Sequence, residues 1–164
     1  MLYHLSERKR CSDAIAALKI VHEKVPALHV TMFGTPKKTT DIPEYFDYYQ
    51  MPDKITHNKI YNQAAIFIAA SNIEGFGLPL AEAMTCGCAL CCTDTTGFLD
   101  FAKDNITALT SPIYDVNALA ENILKLINNN SLRVSIAKSG NEYIKQFSWN
   151  KAVNSFNNFL KSKL

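Results

Sequence analysis

Two glutamates, Glu74 and Glu82, flank a segment that contains two glycines, and carboxylates accept hydrogen bonds from the hydroxyl groups of a sugar. The glycines let a ligand approach the backbone closely. When a helix follows such a segment, its first N–H groups have no partner within the helix, and they attract an anion such as phosphate. The residues of this predicted phosphate-binding turn are Gly75, Phe76, Gly77 and Leu78. The pattern therefore predicts a site for a sugar phosphate between the two carboxylates.

Two elements are predicted to position this turn. The apolar residues 66–70 indicate a buried strand, and Pro79 suits the first turn of a helix that ends near Gly87. On that helix Glu82 lies about one turn from the start, while Glu74 projects from the end of the strand. We therefore expect the two carboxylates to face the turn from opposite sides.

The rest of the chain alternates between strand and helix patterns. Further strands are predicted at residues 2–5, 29–33, 45–49, 89–93 and 108–109, and further helices from Ser12 as the N-cap, over 53–63, after Asp115, over 132–147 and over 150–160. The first helix has the apolar face Ala14, Ile15, Leu18 and Val21. This alternation predicts a single α/β domain over residues 1–164, a Rossmann-like doubly wound parallel sheet with helices on both faces.

Composition narrows the class of protein. The 164 residues are 48% hydrophobic and 20% charged, which is typical of a globular domain. A net charge of +2 with scattered basic residues does not indicate a nucleic-acid partner. No apolar stretch reaches the roughly 20 residues that span a bilayer, and charges follow the N-terminus too soon for a signal peptide, so we expect a cytoplasmic protein.

Five cysteines are present, but none has the paired spacing of a zinc site, and no metal site is predicted. Cys91 and Cys92 are adjacent, so on a strand they point to opposite faces. We therefore expect reduced thiols that serve as small core residues.

The motif around the two glutamates resembles the donor-site motif of family 4 retaining glycosyltransferases, which have the two-domain GT-B fold. It has the spacing Glu-x7-Glu, with Gly-Phe-Gly-Leu-Pro inside and Glu-Ala-Met-Thr-Cys-Gly at its end. A lysine after the first strand and a Thr-x-x-x-Gly loop at residues 93–97 also resemble the C-terminal, donor-binding domain of that family. The resemblance covers nearly the whole chain. It implies one half of a GT-B fold that binds a nucleoside diphosphate sugar without a cofactor or a required metal.

The resemblance also implies roles for single residues. Glu74 is similar to the catalytic-site glutamate that contacts the transferred sugar without acting as a nucleophile, and Glu82 to the one that binds the ribose hydroxyls. Lys9 has the spacing of the lysine that contacts the diphosphate, a role that suits a compact ammonium group.

Two regions depart from the family pattern. His4 stands where the family has an arginine, and Arg10 stands where the family commonly has a glycine. His4 is either a weaker, pH-dependent phosphate contact, with Arg8 or Arg10 as substitutes, or a plain core or edge histidine. In the loop at residues 93–97, Thr95 and Gly97 are either donor contacts or parts of a structural turn.

The resemblance leaves the acceptor-binding N-terminal domain outside this chain, and we expect the helix from about residue 150 to cross to it. Alone, the chain is expected to be inactive. The implied reaction moves a sugar to a glycan or lipid-linked acceptor, in bacterial cell-surface polysaccharide synthesis at the inner face of the membrane, with peripheral membrane association of the full-length protein. The alternatives are another GT-B enzyme, of the epimerase or phosphorylase type, and a non-catalytic Rossmann-like binding module.

Overall fold

The structure, a computed structural model, describes residues 1–163, and within them six strands and six α-helices follow one another in the predicted order. The elements are β1 (Leu2–Tyr3), a 3₁₀ turn (Glu7–Lys9), α1 (Cys11–Lys24), β2 (Val30–Gly34), β3 (Phe46–Gln50), α2 (Lys54–Gln63), β4 (Ile66–Ala69), α3 (Leu78–Thr85), β5 (Ala89–Thr93), β6 (Ala108–Ser111), α4 (Val116–Asn128), α5 (Asn130–Ile144) and α6 (Trp149–Lys161).

The strands are parallel and form two three-stranded sheets, in the orders β1-β2-β3 and β4-β5-β6. The first strand is shorter than the predicted residues 2–5. It ends at Tyr3 because the chain turns there, and the N–H of Ser6 donates to Nδ1 of His4 at 2.9 Å. Within each sheet the strands run in one direction, so the loops that follow them lie at one edge of that sheet.

The helix starts follow from local capping, with one exception. Asp53 and Asp115 cap α2 and α4 by accepting backbone N–H groups at 2.7 and 2.9 Å. The prediction that Ser12 caps α1 is wrong, because Arg10 occupies the cap position with a left-handed φ of 45°. The carbonyl of Arg10 accepts the first helical N–H groups, so the helix begins before Ser12.

Two apolar clusters cover the two faces of the strands. One contains the predicted apolar face of α1 together with residues of α4, and the other is built around α3 with residues of α2 and the end of α5. Cys91 belongs to the first cluster and Cys92 to the second, so the predicted opposite orientation is confirmed. All five cysteines are free thiols. The clusters fix the strands, and with them the loops at the carboxyl edge.

The helix α6 differs from the others because none of its residues is buried. Its exposed apolar side chains include Trp149, at 86% exposure, and Val153, Phe156 and Leu160. These positions recur every three or four residues and therefore lie on one side of the helix. The role expected from the sequence, a crossing to an N-terminal domain, stays a prediction.

Candidate functional site

The loop between β4 and α3 carries the predicted phosphate-binding turn. The helix begins at Leu78 with Pro79 in its first turn, which confirms the predicted start. Gly77 caps it with φ of 92°, and a Cβ at this position would lie 2.6 Å from the ring of Phe98. Both the backbone angle and the close aromatic ring therefore require glycine at position 77.

Glu74 lies in this loop and pairs with Lys9 from the loop after β1. The Nζ of Lys9 lies 2.5 Å from Oε1 of Glu74, and the two side chains are 27% and 11% exposed. Ser71, which follows β4, donates its hydroxyl to the same oxygen at 2.8 Å. The structure thus brings together two residues that the sequence singled out separately, because β1 and β4 end at the same edge. Ser71 was not predicted, although its position directly after a strand end was a signal for it.

The loop after β5 supports the Glu74 loop from behind. A Cβ at Gly97 would lie 2.4 Å from the carbonyl oxygen of Glu74, so the two backbones touch. The hydroxyl of Thr95 donates to the carbonyl of Asn72 at 2.9 Å, and Thr95 is buried. These contacts give Thr95 and Gly97 a structural role, which is one of the two alternatives that the sequence left open. A direct contact with a donor stays a prediction.

The predicted turn divides into an anchored part and an open part. The ring of Phe76 packs against Phe101 and Phe147, with centroid distances of 5.1 and 5.4 Å, so its side chain faces the protein. By contrast, a Cβ at the exposed Gly75 would meet no atom within 4 Å. Leu78 is 64% exposed. The backbone at Gly75 is therefore open to a ligand, and Phe76 holds it in place.

Glu82 lies about one turn from the start of α3, as predicted, and is exposed. Its Oε2 accepts a hydrogen bond of 2.8 Å from the hydroxyl of Tyr61, a buried residue of α2. Burial, and then the hydrogen bond to this carboxylate, raises the pKa of Tyr61 above its usual value. Sequence reasoning missed Tyr61, because nothing in the local sequence of α2 indicates a partner 21 residues away.

His4 and Arg10, the two departures from the family pattern, lie at the same edge. His4 is exposed, and its Nδ1 accepts from Ser6, so in the neutral ring the proton lies on Nε2. The guanidinium of Arg10 makes two hydrogen bonds of 2.8 Å to Asp13 and lies 5.0 Å from the ring centre of Tyr114. Arg10 is thus engaged by the protein itself, whereas no hydrogen bond within residues 1–163 engages Nε2 of His4.

One protein-family model matches most of the chain. The model described as "Glycosyl transferases group 1" matches residues 1–143, which include Lys9, Glu74 and Glu82. The chain belongs to this family.

Among relatives of this glycosyltransferase domain is the capsular polysaccharide biosynthesis glycosyltransferase CapM of Staphylococcus aureus. It is 28% identical over 166 residues, which cover 93% of this chain and 44% of the relative. The chain spans less than half the length of the curated relatives CapM, a Methanocaldococcus jannaschii glycosyltransferase and an Escherichia coli mannosyltransferase.

Solved structures show the same fold. A variant of S. aureus TarM, in complex with fondaparinux, α-GlcNAc-glycerol and UDP, superposes with a TM-score of 0.83 at 22% identity and covers 96% of this chain and 34% of that chain. The C-terminal domain of a glycosyl transferase group 1 family protein from Francisella tularensis superposes with a TM-score of 0.75 at 21% identity, covering 88% and 83% of the two chains. The glycosyltransferase domain is thus one Rossmann-like half of a GT-B fold, as the sequence predicted.

Three further observations concern the surroundings of the site. A cavity of about 430 Å³ lies at the amino-terminal ends of β2 and β4; Tyr61 is among its lining residues, whereas Glu74 and Glu82 are not. Within residues 1–163, no group of three or more His, Cys, Asp and Glu side chains is arranged to hold a metal ion. In the same described range, no helix has both the length and the apolar character needed to cross a membrane.

Proposed function

We propose that this chain is the donor-binding domain of a family 4 retaining glycosyltransferase. It binds a nucleoside diphosphate sugar without a metal, and the whole enzyme transfers that sugar to a glycan or lipid-linked acceptor. The proposed setting is bacterial cell-surface polysaccharide synthesis in the cytoplasm, at the inner face of the membrane. The name of CapM, a capsular polysaccharide biosynthesis glycosyltransferase, supports this choice of pathway. The UDP in the complex of the TarM variant supports this choice of donor.

The observation that carries the proposal is the ion pair of Lys9 and Glu74 beside the open backbone of Gly75 at the start of α3. An ammonium group and a helix N-terminus both attract a diphosphate. In this arrangement Lys9 and the turn bind the diphosphate, Glu74 accepts from the hydroxyls of the transferred sugar, and Glu82 accepts from the ribose. His4 donates a further hydrogen bond from Nε2 to the diphosphate.

The proposed chemistry is a front-side displacement, in which the protein positions groups and stabilises charge. The bond between the anomeric carbon and the diphosphate oxygen breaks, and a bond to the acceptor oxygen forms on the same face. The acceptor's proton passes to the leaving diphosphate. Lys9 stabilises the negative charge that develops on that diphosphate, and Glu74 orients the sugar ring.

The acceptor is proposed to bind through an N-terminal domain that packs on α6. Support comes from the side of α6 that carries Trp149 and Phe156, since both side chains are more than half exposed. Without that second domain, the purified chain is expected to bind the donor and to transfer no sugar.

The experiment that tests the proposal is calorimetric titration of the purified chain with UDP, GDP, dTDP and ADP. One nucleotide is expected to bind saturably, and Glu82→Ala is expected to weaken it by about tenfold or more, because a hydrogen bond to a charged group is lost. The matched control is Glu121→Ala, which removes an exposed glutamate on α4.

Three results contradict the proposal. They are a failure of all four nucleotides and their sugar conjugates to bind, an equal effect of the two alanine substitutions, and sugar transfer by the isolated chain. Release of free sugar or formation of an epimerised product by the longer protein favours the other GT-B enzymes instead.

A further inference from the structure

A hydrogen bond from the hydroxyl of Tyr61 restrains the side chain of Glu82. Tyr61 lies on α2 and Glu82 on α3, and the hydrogen bond of 2.8 Å joins the hydroxyl to Oε2. Glutamate has several rotatable bonds, and an exposed one samples many rotamers. A fixed donor beside one oxygen reduces that freedom.

The ring of Tyr61 is itself fixed by its neighbours. It packs against Phe33, His57 and Phe67, with centroid distances of 5.5, 4.9 and 5.6 Å. The backbone carbonyl of Tyr61 also accepts from the thiol of Cys88 at 3.3 Å. Because the ring packs in this aromatic cluster, the hydroxyl is held beside the carboxylate of Glu82.

The same contact leaves the second carboxylate oxygen available. Among the described residues, no hydrogen bond engages Oε1 of Glu82, whereas Oε2 is occupied by Tyr61. A tyrosine hydroxyl is protonated near neutral pH and a carboxylate only accepts, so Tyr61 is the donor in this hydrogen bond. A carboxylate restrained in this way presents one free acceptor to the solvent.

We propose that Tyr61 is a positioning residue, which orients Glu82 so that Oε1 accepts from the ribose hydroxyls of the nucleotide. This inference rests on the proposed function, because it requires a nucleotide at Glu82. Its consequence is that the conformational cost of ordering Glu82 is met before the ligand arrives, which strengthens binding. Tyr61 acts on the ribose only through Glu82 and touches neither the diphosphate nor the transferred sugar.

The test compares two ligands, the ribonucleoside diphosphate that binds the chain and its 2′,3′-dideoxy analogue. The wild-type chain is expected to prefer the ribonucleotide by about tenfold or more. Tyr61→Phe keeps the ring and removes the hydroxyl, so the preference is expected to fall at least threefold while affinity for the dideoxy analogue stays unchanged. Tyr45→Phe, at a tyrosine that is 45% exposed, is the matched control.

A double mutant separates positioning from packing. Once Glu82 is alanine, Tyr61→Phe is expected to cause no further loss of preference, because the two residues act as one unit. Equal losses for both ligands, or an unchanged preference in Tyr61→Phe while Glu82→Ala lowers it, overturn the role of Tyr61 and leave the donor site standing. Absence of nucleotide binding by the wild-type chain overturns the proposed function and the ribose role together.

Side-chain NMR relaxation supplies a measurement that needs no ligand. The order parameters of the Glu82 side chain are expected to fall in Tyr61→Phe, and those of Glu121 are expected to stay the same. An unchanged Glu82 in the folded variant contradicts the restraint itself.

Discussion

Replacing Glu74 by glutamine removes one of the two charges that meet at the centre of the site. The Nζ of Lys9 lies 2.5 Å from Oε1 of Glu74, and the carboxylate side chain is only 11% exposed. Glutamine has nearly the same shape and keeps an oxygen that accepts from Ser71. The substitution therefore removes the negative charge and little else.

The expected cost in stability follows from the burial of the pair. A hydrogen bond between charged groups contributes about 1.5–3 kcal/mol. Because Lys9 is 27% exposed and partly screened by water, we expect the lower end, about 1.5 kcal/mol. For a chain of this length that loss lowers Tm by about 3–6 °C.

The same substitution is expected to strengthen nucleotide binding, although it lowers stability. In the free protein the ammonium of Lys9 is occupied by Glu74, so a diphosphate must compete with the carboxylate and is also repelled by it. Without that charge, affinity for the nucleoside diphosphate is expected to rise by about tenfold, which corresponds to about 1.4 kcal/mol. The gain is expected to shrink at high salt, because screening weakens interactions near the surface. Affinity for the nucleotide sugar is expected to gain less, because the sugar loses its acceptor.

Calorimetry at low and high salt measures both ligands, and thermal unfolding measures stability. The matched control is Glu121→Gln, which changes the same charge at an exposed position of α4. Unchanged or weaker binding of the nucleoside diphosphate by Glu74→Gln, in a folded protein, refutes the assignment of Lys9 to the diphosphate.

Four further predictions test the support of the site, the chemistry of the core and the packing of α6. Gly97→Ala is expected to lower stability by about 1–3 kcal/mol, because its Cβ would lie 2.4 Å from the Glu74 carbonyl oxygen. Gly75→Ala, whose Cβ meets no atom within 4 Å, is expected to keep Tm and weaken nucleotide binding; melting and titration of both variants check this. Stability is expected to fall as pH rises from 9 to about 11, because burial raises the pKa of Cys88 to about 11 from 9.0 and the unfolded thiol ionises first. Thermal unfolding across this range is expected to show a smaller decrease of Tm with pH in Cys88→Ala than in the wild-type chain. An equal decrease contradicts the assignment of this pH dependence to Cys88. Trp149→Ser is expected to leave Tm unchanged, since this side chain is 86% exposed, and a clear decrease shows that α6 packs on the chain itself.

Much of the site was predictable from sequence because its signals are local. Pro79, the glycines and the apolar run before them lie within one short segment, and each restricts the backbone in a known way. The start of α3 and the position of Glu82 on it therefore agreed with the structure. The family resemblance added Lys9, whose contact with Glu74 no local pattern shows, because 65 positions separate the two residues.

The features that sequence reasoning missed depend on tertiary contacts. The bond between Tyr61 and Glu82 exists because α2 and α3 pack side by side, and the period of neither helix indicates it. The start of α1 was wrong for a different reason. Serine is a strong capping residue, but Arg10 adopts a left-handed backbone and is held by Asp13, so local propensity at Ser12 was overridden.

Three glycines of the site differ in what makes them necessary, and the difference indicates where a ligand lies. At Gly77 the protein's own fold requires glycine, through a φ of 92° and the nearby ring of Phe98. At Gly97 the requirement is again internal, since the backbone of Glu74 leaves no room for a side chain. At Gly75 neither condition holds, because φ is not positive and the space around it is open. Nothing in the described protein therefore demands glycine at position 75. A close approach of the donor's diphosphate to that backbone supplies the missing reason, beside the ammonium of Lys9 and the first N–H groups of α3.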